Sequence, residues 1–191
     1  MEPHPIRLVV TDDLQRTRIT VFFRLLLAIP HFIWVVLWGI VVAFAILFAW
    51  FAALFTKRVP AGLHGFIARY VRYQTHVYAY ACLAADPFPP FGGREGSYPV
   101  DVTIALPAEQ SRLTIFFRLL LAIPALIIAN VLNSLIEWVG ILGWFVCLFT
   151  GKMPEGMRNL LVFAIRFHTQ VHAYYSLLTP RYPSVNVGLV E

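Results

Sequence analysis

Residues 18 to 30, RITVFFRLLLAIP, return almost unchanged as RLTIFFRLLLAIP at residues 112 to 124, so whatever this chain folds into, it must fold into twice. The offset of 94 residues holds without a gap through Trp50 and Trp144, Pro60 and Pro154, Arg72 and Arg166, and Pro89 and Pro183, and it runs back to Pro5 and Pro99. The duplication sets the domain boundaries. Repeat 1 covers 5–91, a GGREGSY linker covers 92–98, repeat 2 covers 99–183, and a closing segment covers 184–191.

Each copy is too apolar for a soluble domain. Hydrophobic residues make up 59% of the chain, charged residues only 13%, and the mean hydropathy is +0.72, whereas soluble domains carry about a quarter charged residues. From Leu25 to Thr56 no side chain is formally charged apart from a protonated His31. As helix that run measures about 48 Å, against about 30 Å of hydrocarbon. The first residues, MEPHPIRLVVTDDLQRTR, lack the basic start, short apolar run and small-residue cleavage site of a signal peptide, so the first spanning helix is expected to direct insertion.

The net charge of +5 and the pI near 9.5 come from Lys and Arg spread along the chain. That distribution is no nucleic-acid footprint and suits anionic lipid headgroups. Cys82 and Cys147 occupy non-equivalent places in the two copies and form neither a disulfide framework nor a metal-ligand spacing.

Within a copy, period-two alternation at Ile6, Leu8, Val10 and at Val100, Val102, Ile104, Leu106 predicts strands over 5–10 and 99–106. The closing segment echoes them through Tyr182-Pro183-Ser184-Val185, so three strands are expected in one small sheet. An amphipathic helix follows, with Ile19, Phe22, Phe23, Leu26 and Leu27 on its apolar face and Arg16, Arg18 and Arg24 at its wet end. Pro30 and Pro124 are expected to end it or kink it. A spanning helix is then expected over 31–55 and 125–149, and a return helix over 61–85 and 155–179.

The fold class expected is therefore an all-α integral membrane protein of two tandem repeats. Each repeat has an interfacial amphipathic helix and a two-helix transmembrane hairpin, with a small β-sheet on one membrane face. Two crossings per repeat would return all the strands and both termini to one side. The excess of Arg on that side, Arg7, Arg16, Arg18, Arg24, Arg94, Arg112, Arg118 and Arg181, places it in the cytoplasm of a multi-pass inner-membrane protein.

The RLLLAIP segment, the FAALFTKRVPAG turn, the helix bearing Arg72, Gln74, Thr75, His76 and Tyr78, and the Asp86-Pro87-Phe88-Pro89-Pro90 end together resemble a bacterial membrane family known only as domain of unknown function 4389. The resemblance covers both copies. It implies a small multi-spanning protein and brings no activity, cofactor or catalytic residue. In the second copy Pro180 stands where the first has Asp86, which counts against a ligand role for that aspartate.

The copies differ most in their spanning helices. Where the first has Val36, Gly39, Ile40 and Ala43, the second has Asn130, Asn133, Ser134 and Glu137, on one helical face. An intramembrane carboxylate marks a candidate site, with Arg72 or Arg166 as its expected partner. The same stripe can instead join helices through side-chain hydrogen bonds or form a dimer contact. Arg72 and Arg166 could clamp a lipid headgroup, or snorkel and tie the repeats together. His168 and His172 face one way at a spacing of four, but only Glu137 and His76 are available to complete a ligand set, so neither metal nor cofactor is expected.

No catalytic motif is present, so no enzyme is expected. The reading that asks least of the residues is an accessory or scaffolding protein that contacts lipid headgroups, other membrane proteins or further copies of itself. The alternative is a small carrier or lipid-binding protein with a polar path through Glu137, Asn130, Asn133, Arg72 and Arg166.

Overall fold

A computed structural model describes residues 4–185. In chain order the elements are β1 (Ile6–Val10), α1 (Arg18–Thr56), α2 (Ala61–Ala81), β2 (Val100–Ile104), α3 (Arg112–Phe116), α4 (Arg118–Thr150) and α5 (Glu155–Tyr175). Strands β1 and β2 pair antiparallel, with Leu8 opposite Val102. The expected third strand lies largely outside the described residues, and Tyr182 to Val185 are not in a strand.

The two copies are related by an internal twofold axis, because bonds between them come in reciprocal pairs at the repeat offset. The Arg16 amide donates to Gly151 O at 2.9 Å and the Gln110 amide to Lys57 O at 2.9 Å. The Trp50 indole donates to Ile115 O at 2.9 Å and the Trp144 indole to Val21 O at 2.8 Å. Leu8 and Val102 meet their equivalents on the axis, and so do Thr75 and Thr169, whose hydroxyls lie 3.0 Å apart.

Three layers result. The outer one is α1 with α4, running antiparallel. Each inward face is a narrow stripe, Val21, Arg24, Ala28, His31, Val42, Ala45, Ala49 and Ala53 in α1. Its small alanines admit the neighbouring helices closely. The outward face is apolar and exposed along the whole of α1, from Ile19 to Phe55, and along α4 except where the exposed Asn130, Ser134 and Glu137 interrupt it. The middle layer is α2 with α5, and the sheet covers their far side. Among the described residues neither α1 nor α4 touches a strand.

Two expectations need correction. First, the separate helix expected to start after the proline is absent: α1 is continuous through Pro30, and in the second copy the break falls at Phe117 rather than Pro124. An interior proline costs about 3 kcal/mol. Here the buried stripe continues in register from Ala28 to His31 across it, so packing on both sides holds the helix together. Second, the Arg24 side chain is not at a wet end but only 1% exposed, as is Arg118. By length and composition α1 and α4 are apolar enough to cross a membrane, and α2 and α5, expected as return spans, do not meet that measure. Most of α2 and α5 is buried within the protein, with the sheet against the middle of each.

Candidate functional site

The buried arginines join the layers. Arg24 donates from Nη1 to Tyr80 O and Ala85 O, both at 2.8 Å, and from Nη2 to Asp86 at 2.7 Å, and it stacks on the Tyr80 ring at 4.5 Å. It thereby adds charged donors to carbonyls at and just beyond the C-terminal end of α2, where cationic charge is favoured. Arg118 repeats the pattern at α5, donating to Thr179 O at 3.0 Å and stacking on Tyr174 at 4.3 Å. Where Arg24 has Asp86, Arg118 instead donates to the Gln110 side-chain oxygen Oε1. Arg16 and Gln110 are a further matched pair, reaching Leu83 O at 2.9 Å and Leu177 O at 2.8 Å. Leu83 and Leu177 close these turns with φ of 65° and 66°, left-handed values that strain a branched side chain. The signal for these roles was the exact recurrence of the RLLLAIP arginine. Its burial was hidden because arginine in a sequence reads as exposed.

The expected polar path is not assembled. Arg72 lies on the sheet side of α2, donating to Val102 O at 2.8 Å, Gly93 O at 3.3 Å and Glu95 at 3.0 Å. His76 bonds Asp101 at 2.7 Å, and Asp101 also accepts from the Val102 and Gly96 amides. Burial pushes the Asp101 carboxyl up, but these bonds outweigh it and hold the group below its ordinary 3.8. Gln170, the equivalent of His76, reaches Ile6 O at 3.3 Å. These residues anchor strands to helices.

Asn130, Asn133, Ser134 and Glu137 lie on the outer layer instead. Asn130, Ser134 and Glu137 are exposed and Asn133 half-buried, with the Asn133 amide donating to Glu137 at 3.0 Å. No salt bridge joins Glu137 to Arg72 or Arg166 among the described residues. Arg166 lies 5.5 Å over the Phe163 ring. His168 packs on Tyr78 at 5.6 Å, and His172 stacks on Tyr175 at 4.8 Å with Tyr70 against its edge. Among the described residues no three His, Cys, Asp or Glu side chains are grouped to hold a metal ion. A cleft beside the axis, walled by Gln74, Tyr78, Ile136, His168 and His172, encloses about 10 Å³, room for no more than one water.

One open site is new to the sequence reading. An apolar groove of about 670 Å³ runs between α1, α2 and the segment after α2, bounded by Trp34, Leu37, Trp38, Val41, Phe66 and Phe91.

Layers, twofold axis and outward apolar helices define a duplicated helical protein with an apolar outer layer fit for a membrane. The chain belongs to the family described as Domain of unknown function (DUF4389), whose model matches twice, at residues 18–92 and 112–185. Neither the curated proteins nor the solved structures gave a match.

Proposed function

We propose that this is a non-catalytic accessory protein seated in one leaflet of a membrane. In place of the expected transmembrane hairpins, α1 and α4 lie along the membrane with their outward faces immersed, and the sheet faces water. One observation carries the reading: the exposed apolar face and the two-stranded sheet lie on opposite sides of the α2 and α5 layer. An upright molecule would hold the sheet at mid-bilayer. There its open edges would lack hydrogen-bond partners, and charges such as Arg72 and Asp101 would cost at least about 2.5 kcal/mol each on insertion scales.

In this orientation the exposed Lys and Arg all lie on the water side, and the net charge of +5 favours the anionic cytoplasmic leaflet. The Asn130, Asn133, Ser134 and Glu137 stripe opens sideways, where it supports lateral contact with a second copy or another membrane helix. The carrier reading loses support because its lining residues point into different layers.

Impermeant thiol labelling tests this, with Arg58→Cys and Arg94→Cys placed singly in a chain whose native cysteines are serine. Both positions are exposed. In sealed vesicles both should label from the same face. Labelling from opposite faces would restore the transmembrane hairpin.

A further inference from the structure

Every residue given as lining the groove comes from repeat 1 or the glycine that follows it. Its walls are Trp34, Leu37, Trp38 and Val41 of α1, Phe66 of α2 and Phe91 beyond α2, with Trp34 and Trp38 6.3 Å apart and Trp38 6.1 Å from Phe66. Phe91 is fixed by stacking on His31 at 4.5 Å and on Tyr73 at 6.1 Å. The following turn presses onto α2 so closely that a Cβ at Gly93 would stand 2.1 Å from Arg69 O, and φ there is +60°. At the equivalent positions repeat 2 has Ile128, Val131, Leu132, Leu135, Leu160 and Val185, and its match for Arg69 is Phe163. The aromatic walls and the nearby cation therefore occur together in one copy and are missing together from the other.

Arg69 completes the site. It lies one turn after Phe66 on the same side of α2, is exposed, and has no hydrogen bond or ion pair to any described residue. No charged side chain lines the groove, and its mouth is continuous with the outward face of α1 through Trp34, Leu37 and Val41, all exposed.

We propose that this groove holds an acyl chain of an anionic glycerophospholipid, with the lipid phosphate at Arg69. The proposal rests on the reading that the outer layer lies in the membrane. The apolar walls select hydrocarbon, and the unpaired guanidinium selects the anionic headgroup over the zwitterionic one. The volume falls in the usual range of small-molecule sites and leaves room for part of one chain.

The test mixes the full chain with phosphatidylcholine vesicles containing a minor fraction of phosphatidylglycerol. The protein is re-isolated in mild detergent and its retained lipid is quantified by mass spectrometry, with flotation of the same vesicles measured in parallel. Phosphatidylglycerol should be retained stoichiometrically and enriched over its share in the vesicle. Arg69→Gln should lower that enrichment about fivefold, the worth of one basic residue at a lipid surface. Val41→Asn, which puts an amide in the wall, should lower retention of both lipids, and both variants should float and melt like the parent. If both variants float yet keep the parental lipid profile, or if the parent holds phosphatidylglycerol only in proportion to its share, the groove proposal is overturned with the membrane seat intact. If the parent chain does not float at all, the seat fails and the groove falls with it.

Discussion

Arg24 in α1 and Asp86 beyond the end of α2 meet at 2.7 Å, so the arginine of the repeated RLLLAIP segment closes the far end of its own hairpin. Arg24→Met would leave Asp86 and the carbonyls of Tyr80 and Ala85 without a cation, at about 3 to 5 kcal/mol. Arg24→Lys should recover only part of that loss, since an ammonium cannot reproduce the planar fork that reaches three acceptors. Chemical denaturation in detergent would measure both.

The twofold axis makes a quantitative demand on Trp50 and Trp144. Their indoles donate to equivalent carbonyls across the repeats, at Ile115 and Val21. Replacing either by Phe should cost about 1 kcal/mol, the usual net worth of one hydrogen bond, and the two losses should be equal. Clearly unequal losses would show that the copies do not support one another symmetrically.

Asp101 predicts the acid limb of stability. Its folded value is held below 3.8, so the stabilisation it supplies is complete above about pH 4 and is lost as pH falls through the depressed folded value. Asp101→Asn should flatten that limb and cost about 1.5 to 3 kcal/mol near neutrality through weaker bonds to His76 and two amides. Denaturant midpoints over an acid series would test the sign.

Glu137 is exposed on the apolar layer and bonded to Asn133. Glu137→Leu should leave the melting temperature unchanged or raise it, because no internal ion pair is lost. Lateral association, followed by cross-linking in vesicles, should weaken. A variant that fails to fold would mean that Glu137 has an inward role.

Gly93→Ala should destabilise by more than the roughly 1 to 2 kcal/mol that a left-handed backbone costs a side chain, because the new Cβ would also strike Arg69 O. Gly92, at φ +109° with open space around it, should tolerate serine better. Paired thermal melts would compare the two.

Much of this fold was legible in the chain. The repeat offset gave the symmetry-related elements, and alternation found Ile6, Leu8, Val100 and Val102 on the buried face of the sheet. Hydropathy found the two apolar helices. The proposed orientation was not legible, because a long apolar run has the same composition whether it crosses a bilayer or lies along it. The surroundings of the polar stripe were hidden for a related reason: spacing places Asn130 and Glu137 on one face of a helix but does not say which neighbour that face meets. The groove was hidden as well, since Phe91 comes to line it with Trp34 and Trp38 only when the glycine turn folds back on α2.

Leu8 faces Val102, its own counterpart, across the axis, and the backbone joints Arg16 to Gly151 and Thr11 to Pro99 recur with the partners exchanged, as Gln110 to Lys57 and Ala105 to Pro5. A gene encoding only one half could thus yield an almost identical particle by self-pairing, as an isologous homodimer. Fusing the halves frees each from having to match its mate, and it is after such fusion that one can keep a tryptophan-lined hollow while the other acquires a carboxylate.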